Sequence, residues 1–285
     1  MPSTPPAFDA AKAIEFGQLV NATYATPPGD LTNRAGQTLT AGGIDYTVVT
    51  TIYANDLATD MNPGRADAEV SIGLICQRDK TGDVAIALRG TEGTLEWIHD
   101  ADFLQVPCPF LTGAGRTEDG FTDMYQSLRT GTEPGAPTVV KALATLPFSQ
   151  PVGVVTICGY SLGGALATLL ALDVAANTAF TDPAVYTYAS PRVGDSLFAS
   201  TFDQVVKNSY RVANRLDVVP ALPPPFGYEH VLTRHDLNPI RLVPLPPKVL
   251  VKYSVLCEHS LATYLYLLSL QSGGPVLPLE PACKP

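Results

Sequence analysis

A serine between two glycines lies near the middle of this 285-residue chain, in the pattern Gly-x-Ser-x-Gly over 159–163. An apolar run over 152–157 precedes it, and an almost wholly apolar run over 162–176 follows it. This order predicts a strand, a tight turn and a helix, with Ser161 at the turn of a nucleophile elbow. Such a turn lifts the hydroxyl above the sheet edge, where the N–H groups of the next helix favour developing negative charge. We therefore interpret Ser161 as a nucleophile rather than as an incidental serine in a Gly-rich turn.

A serine hydroxyl needs a base that takes its proton. The histidines of the chain are His99, His230, His235 and His259. His259 lies between a late predicted strand and the last predicted helix, where a loop reaches the carboxyl edge of the sheet. Active sites of open α/β sheets lie at that edge, so His259 is the predicted base. His99 falls on a predicted surface helix, and His230 and His235 fall in polar loops.

The base in turn needs an acid that orients it. The aspartates that we compared are Asp173, Asp182, Asp195, Asp203 and Asp217. Asp173 lies about 18 Å along the helix from Ser161 at the usual rise per residue, which excludes it. Asp182 precedes a strand and so belongs to the wrong edge of the sheet. Asp195 is at the start of a predicted helix, and Asp203 lies within it. Asp217 alone follows the carboxyl end of a strand, so the predicted acid is Asp217.

An oxyanion formed by attack of the serine needs two N–H donors, and each is worth roughly 3 kcal/mol of transition-state stabilisation. Leu162 follows the nucleophile and supplies the first. Thr91 follows a predicted strand and is the best second donor, with a hydroxyl that would add a side-chain hydrogen bond.

The predicted elements favour the α/β class, with a mostly parallel central sheet, antiparallel N-terminal strands and helices on both faces. Before the elbow we predict helices at 8–25, 120–130 and 136–146 and strands at 44–53, 68–77 and 84–88. After it we predict strands at 185–189, 210–213 and 248–256 and helices at 195–206 and 261–270. The turn at 79–82 makes the first strands antiparallel, whereas alternating strands and helices indicate parallel units. We expect one domain over 1–285.

A short amphipathic helix is predicted over 92–103, because apolar residues recur there at helical spacing. It carries the only tryptophan of the chain and follows a strand end near the predicted site. These features favour a lid over about 92–104, although an ordinary surface helix has the same pattern. The apolar residues expected to hold a substrate are Trp97, Ile98, Phe103, Leu222 and Phe226.

Composition limits the partners. The formal net charge of −9 argues against nucleic acid and against anionic membrane surfaces, and favours a substrate that is neutral at its reacting end. No run of eighteen apolar residues indicates a membrane span, and no segment of signal-peptide type is evident. The cysteines match no zinc pattern, so we expect no metal. Cys76 and Cys158 read as buried thiols, whereas Cys108 and Cys283 lie in Pro-rich loops and could pair.

These motifs together resemble the fungal-type lipases of the class 3 lipase family. The matching segments are Arg89 to Thr91, Glu96 to Ile98, Gly120-Phe121, 159–163, Ser190 to Gly194, Asn214 to Pro224 and His259. The resemblance implies an α/β-hydrolase fold, hydrolysis of acylglycerol esters and a triad of Ser161, His259 and Asp217. It also implies Thr91 as the second oxyanion residue and a lid near 92–104. The chain departs from the family pattern at Glu118, where a histidine is frequent, and at Glu96, where an asparagine is frequent.

We therefore predict a serine ester hydrolase that acts on neutral lipids and needs no cofactor. The lid would contact the lipid–water interface, the protein would be a monomer, and its mature form would be extracellular. A feruloyl-type or phospholipid esterase has the same chemistry and remains the neighbouring alternative. A non-catalytic member that binds apolar ligands is the alternative from another class.

Overall fold

A computed structural model describes residues 7–27, 29–56, 69–90, 103–231, 234–241 and 248–285. Its main sheet has eight strands in the order β1-β2-β3-β4-β7-β8-β9-β10. The first four are β1 (Thr38–Ala41), β2 (Ile44–Asn55), β3 (Glu69–Arg78) and β4 (Val84–Leu88). The others are β7 (Val155–Tyr160), β8 (Ala184–Tyr188), β9 (Asn208–Asn214) and β10 (Arg234–Leu237).

The sheet changes character at β4. Pairing from β1 to β4 is antiparallel, whereas β4, β7, β8, β9 and β10 pair in parallel. Two small antiparallel ladders lie apart from it, β5 (Gln105–Pro107) with β6 (Arg116–Glu118), and β11 (Ile240–Arg241) with β12 (Lys248–Val249). Because β7 and β9 run in the same direction, the residues that follow them meet at one edge of the sheet.

Helices cover both faces of the sheet. They are α1 (Ala10–Thr23), α2 (Asp119–Gln126), α3 (Val139–Ala142), α4 (Leu162–Asn177), α5 (Ser196–Val205), α6 (Val255–His259) and α7 (Leu261–Ser272). Val155 and Ile157 of β7 pack with α4 in one core, while Cys158 packs with α1 and α7 in the other. This alternation is the period of two that a strand covered on both faces requires.

Helix α4 is apolar on every side because it is enclosed on every side. Residues 162–175 are all buried, between β7 and β8 below and α2, α3 and α5 above. A helix that is hydrophobic all round is stable in water only in such a position. Within the described residues, no helix is both long and apolar enough to cross a membrane.

Most predicted elements lie within a few residues of the observed ones, but some differ. The helices predicted at 120–130 and 136–146 are shorter, as α2 and α3. The strand predicted at 248–256 is wrong beyond Val249, because the chain turns into α6, where Glu258 N–H bonds the Ser254 carbonyl at 2.8 Å. Strands β1, β5, β6, β10 and β11 were not predicted, and the placement of His235 in a polar loop is wrong, because it lies in β10 and pairs with β9. Gly42 and Gly43 after β1, both at positive φ, are typical of a tight hairpin.

The cysteine pairing also differs from the expectation. Cys257 forms a disulfide with Cys283, so the suggested pairing of Cys108 with Cys283 is wrong. Cys108 is a buried free thiol, as are Cys76 and Cys158. The two bonded residues are 26 positions apart, and the ring of chain that they close contains α7.

We predict that this disulfide contributes about 3 kcal/mol to the free energy of unfolding, because closing a loop of this length restricts the unfolded chain. Urea unfolding with and without dithiothreitol measures it. The double variant Cys257→Ala, Cys283→Ala should be less stable and should not respond to the reductant. A wild-type midpoint that the reductant leaves unchanged would contradict the prediction.

Candidate active site

Ser161 occupies a strained turn between β7 and α4. Its backbone has φ 56° and ψ −124°, a conformation that residues other than glycine rarely adopt. The turn is so close that a Cβ at Gly159 would lie 2.0 Å from the Gly163 carbonyl oxygen. At Gly163 a Cβ would lie 2.4 Å from the Leu88 carbonyl oxygen. Both glycines of the pattern are therefore required by the close approach of backbone atoms.

Ser161, His259 and Asp217 form a continuous hydrogen-bonded chain. Ser161 Oγ lies 2.8 Å from His259 Nε2, and His259 Nδ1 lies 2.9 Å from Asp217 Oδ2. A carboxylate can only accept, so Nδ1 carries a proton and, in the neutral imidazole, Nε2 accepts from the serine hydroxyl. All three residues are buried, and the side chain of Asp217 has no exposed surface. The structure thus brings together the three residues that the sequence selected.

The carboxylate of Asp217 has further donors on both oxygens. Tyr264 O–H donates to Oδ2 at 2.7 Å, and Val219 N–H donates to Oδ1 at 3.0 Å. Burial and the neighbouring charge of Asp217 raise the pKa of Tyr264 well above its ordinary value, so the phenol remains a donor. Together with His259, these groups solvate a carboxylate that water cannot reach.

The backbone of His259 is fixed separately from its ring. Helix α6 ends at His259, and its carbonyl accepts a hydrogen bond from Tyr160 O–H at 2.6 Å. The preceding residue, Glu258, accepts from Asn214 Nδ2 through its Oε2 at 2.7 Å and through its carbonyl at 2.9 Å. Asn214 ends β9, so the acid and the base are supported by the same strand end.

The N-terminus of α4 points at the serine. Leu162 is the first residue of this helix, and the first N–H groups of a helix have no acceptor within it. On the other side of the serine lies Gly90, where a Cβ would be 3.1 Å from Ser161 Cβ. The Gly90 N–H donates a hydrogen bond to the hydroxyl oxygen of Tyr24 at 2.9 Å. Thr91 is the next residue after Gly90 and lies outside the described residues.

The other candidates for base and acid have structural partners elsewhere. His230 Nε2–H donates to the Pro220 carbonyl at 2.7 Å, and His235 stacks on Phe8 at 3.7 Å between ring centroids. Their side chains are thus engaged away from the serine, and His99 lies outside the described residues.

The remaining aspartates also have other roles. Asp173 accepts hydrogen bonds from Tyr125 O–H at 2.5 Å and from Asn177, and Asp195 caps α5 through the Phe198 N–H at 2.8 Å. Asp182 lies 3.4 Å from Asn208 Nδ2, and Asp203 lies within α5.

Comparison with known proteins assigns the family. The sequence profile described as "Lipase (class 3)" matches residues 85–227, half of the chain. The chain belongs to the class 3 lipase family. Phospholipase A1-II 7 of Oryza sativa subsp. indica is 30% identical over 219 residues, which cover 67% of this chain and 52% of that protein. Secreted mono- and diacylglycerol lipase 1 of Fusarium solani is 32% identical over 157 residues, which cover 55% of this chain and 44% of that protein.

A solved structure places this family member in its fold. A mutant form of MDLA from Penicillium cyclopium superposes with a TM-score of 0.62 at 23% identity, over 79% of this chain and 78% of that one. The predicted α/β-hydrolase fold is thereby confirmed. The chain spans about half the length of the curated relatives that it matches.

The predicted substrate pocket of this class 3 lipase is only partly described. Trp97, Ile98 and most of the predicted lid lie outside the described residues. Phe103 is half-buried at φ 49°, and its carbonyl accepts from Tyr228 O–H. Leu222 is half-buried, whereas Phe226 is 92% exposed.

Sequence reasoning missed the groups that hold the triad rather than form it. These are Tyr160, Asn214, Glu258 and Tyr264. The available signal was polarity in a buried setting, since Tyr264 brings a hydroxyl to the buried side of a helix that is rich in leucine. Within the described ranges, no cluster of three or more metal-ligating side chains was found.

Glu118, where class 3 lipases often have histidine, caps a helix in the interior. Its Oε2 accepts the Phe121 N–H at 2.7 Å, and only 3% of the residue is exposed. Burial raises the pKa of this carboxyl to about 7, against the opposing effect of its backbone hydrogen bonds. The folded protein therefore holds a proton here that the unfolded chain releases near pH 4.5.

We predict that Glu118→Gln reduces the pH dependence of stability. Because the folded pKa is the higher one, the stabilising effect of the proton is complete below pH 4.5 and is lost as the pH rises to about 7. Gln keeps the cap and cannot ionise. Between pH 4.5 and about 7, the free energy of unfolding of the variant should therefore rise relative to that of the wild type by on the order of 3 kcal/mol. Urea unfolding at several pH values measures the difference. Parallel profiles for the two proteins would contradict it.

Proposed function

We propose that the chain is a serine ester hydrolase that cleaves fatty-acyl esters of glycerol lipids through an acyl-enzyme. The observation that carries this proposal is the chain of hydrogen bonds from Ser161 Oγ through His259 to the buried Asp217, at 2.8 and 2.9 Å. A nucleophile, a base and an orienting acid at these distances are the parts that acyl transfer requires. The family membership supports the same reaction class.

In the proposed first step, Ser161 Oγ attacks the ester carbonyl carbon while His259 Nε2 takes the hydroxyl proton. The tetrahedral intermediate then collapses, the bond to the leaving alcohol breaks, and His259 returns the proton to the alcohol oxygen. Water attacks the acyl-enzyme in the same way, releasing the carboxylic acid and restoring the serine. Asp217 keeps Nδ1–H directed at itself and stabilises the imidazolium in both halves.

The oxyanion would receive N–H groups from Leu162 and Thr91. The position of Leu162 at the helix start supports the first assignment, and the contact of Gly90 with Ser161 supports the second, because Thr91 follows it directly. The helix dipole adds positive potential at the same place.

Two relatives suggest the substrates. The name of the Fusarium solani relative describes a mono- and diacylglycerol lipase, and the name of the Oryza sativa relative describes a phospholipase A1. We propose partial glycerides and triacylglycerol as the principal substrates and phospholipid as the second candidate. The segment 92–104 remains the proposed lid that meets the lipid–water interface. The secreted Fusarium protein supports an extracellular location, and we expect a single domain over 1–285 that acts as a monomer.

The substrate class is tested with emulsified triacylglycerol, diacylglycerol, phosphatidylcholine and a soluble aryl ester, comparing the wild type with Ser161→Ala. We expect hydrolysis of the glycerides, a rise in rate at the interface, and a loss of at least about 10⁴-fold in kcat for the variant. Hydrolysis of phosphatidylcholine in preference to glycerides would favour the phospholipase candidate.

Activity confined to the aryl ester would keep the chemistry and reject the lipase assignment. Equal inactivity of both proteins on every ester would overturn the proposed function and favour a protein that only binds apolar ligands.

A matched pair of aspartates tests the role of Asp217. Asp217 and Asp173 are both buried and both accept a hydrogen bond from a tyrosine O–H, but only Asp217 contacts His259. We predict that Asp217→Asn lowers kcat by about 10⁴-fold, because the amide favours the wrong imidazole tautomer. Asp173→Asn should leave kcat within a few-fold of the wild type.

Steady-state kinetics on one soluble ester measures both variants, and circular dichroism checks that both fold. Equal losses in the two variants would show that the aspartates act through stability alone.

A further inference from the structure

A second polar site lies on the opposite side of β9 from α7. A cavity of about 320 Å³ is lined by residues from the loop after β8, from β9 and from the loop before β10. They include Arg192, Arg211, Tyr228, Glu229 and His230. Glu229 is exposed at its margin, so the cavity is accessible from solvent. This volume is at the lower end of the range of small-molecule sites.

Arg211 is the unusual member of this set. Its residue is only 5% exposed, and its Nη1 is buried with no hydrogen-bond partner among the described residues. Its Nε donates to the Val231 carbonyl at the long distance of 3.5 Å. A buried guanidinium is costly unless an acceptor satisfies it, so a group that supplies acceptors is expected here.

The surroundings of Arg211 are positively charged. Arg234 is the partner of Arg211 in the parallel register of β9 with β10, so a second positive charge lies beside it. Arg234 is paired with Asp236, but no carboxylate of the described residues lies within ion-pair distance of Arg192 or Arg211. In a chain of net charge −9, a concentration of arginine in one cavity is notable.

Titration behaviour agrees with this charge distribution. Burial, and then the neighbouring Arg234 and Arg192, lower the pKa of Arg211 to about 10. Burial, and then Arg211, lower the pKa of His230 to about 3, so this imidazole stays neutral and donates through Nε2 to Pro220. The negative groups near Arg211 are Asp236, which favours its charged form, and the exposed Glu229 at the margin.

We propose that this cavity binds a phosphate-type oxyanion between the guanidinium groups of Arg211 and Arg192. Guanidinium presents parallel N–H donors that match the oxygens of phosphate, and an anion in the cavity would compensate the buried positive charge of Arg211. Arg192 also donates to the carbonyls of Ala221 and Pro223 and so remains in place when the cavity is empty. The site does not depend on the proposed esterase activity, because none of the triad residues lines it.

The anion could come from free phosphate or from a phosphodiester head group, and two probes distinguish these sources. Thermal unfolding is followed in inorganic phosphate, in glycerophosphocholine and in chloride at matched ionic strength. We expect phosphate to raise the wild-type midpoint by roughly 2–3 °C at ten times its Kd. A comparable rise with glycerophosphocholine would identify a head-group site, and a rise with inorganic phosphate alone would identify a site for free phosphate.

Arg211→Met keeps the size of the side chain and removes the charge, so it should lose the rise in midpoint. The control is Lys141→Met, which removes one exposed positive charge on α3 and should respond as the wild type does. This pair is needed because phosphate also stabilises proteins through exclusion from their surface. The same rise in Arg211→Met and in the wild type would overturn the proposal.

Isothermal titration of the wild type with inorganic phosphate and with glycerophosphocholine covers the case in which Arg211→Met does not fold. Saturable binding of either probe, retained in Lys141→Met, supports the site. No saturable binding of either probe in the millimolar range overturns it.

Discussion

The site depends on the solvation of one carboxylate that has been removed from water. Asp217 has no exposed side-chain surface, yet its oxygens accept hydrogen bonds from His259, Tyr264 and Val219. An unpaired carboxylate in this position would be strongly destabilising, so these donors hold its charge in place as much as they orient the imidazole. The fold supplies one of them from the loop after β9, two residues beyond Asp217 itself. The other two come from the end of α6 and the first turns of α7, more than forty residues later in the chain. The architecture of the carboxyl edge is therefore tied to the requirements of this one charge.

A buried charge lies on each side of β9, and the two charges differ in how fully the chain provides hydrogen-bond partners for them. On the side of α7, the negative charge of Asp217 is fully hydrogen-bonded by groups of the chain itself. On the other side, the positive charge of Arg211 lies beside an open cavity with its Nη1 unsatisfied. A buried charge whose hydrogen-bond partners all come from the chain needs no further ligand. A buried charge that lacks such partners favours the binding of a ligand of opposite charge. The segment around β9 thus carries one buried charge with its hydrogen-bond partners in place and one that lacks them.

The sequence predicted the elbow well because its constraints are local: the close approach at Gly159 and Gly163 involves residues only a few positions apart. His259 and Asp217 were also located from sequence, because parallel strands bring their carboxyl ends to one edge and few candidates follow them. What could not be predicted depends on contacts between distant segments. The partner of Cys283 and the hydroxyl of Tyr264 beside Asp217 are set by how α6 and α7 pack, and no periodicity in the chain reports that packing. The strand expected over 248–256 was wrong beyond Val249 for the same reason, since tertiary context overrode the preference of its β-branched residues.

Tyr160 is one of the two variable residues of the elbow, and its hydroxyl donates a hydrogen bond to the backbone carbonyl of His259. Its ring also lies 5.1 Å from the imidazole, between centroids. The peptide unit next to the nucleophile is thereby fastened to the segment that carries the base. When the sheet and the C-terminal helices fluctuate relative to each other, Ser161 and His259 should move as one body, which preserves the 2.8 Å separation of Ser161 Oγ from His259 Nε2. The first variable position of the Gly-x-Ser-x-Gly pattern, which the pattern itself leaves open, acts in this chain as a mechanical coupling between the sheet and the C-terminal helices.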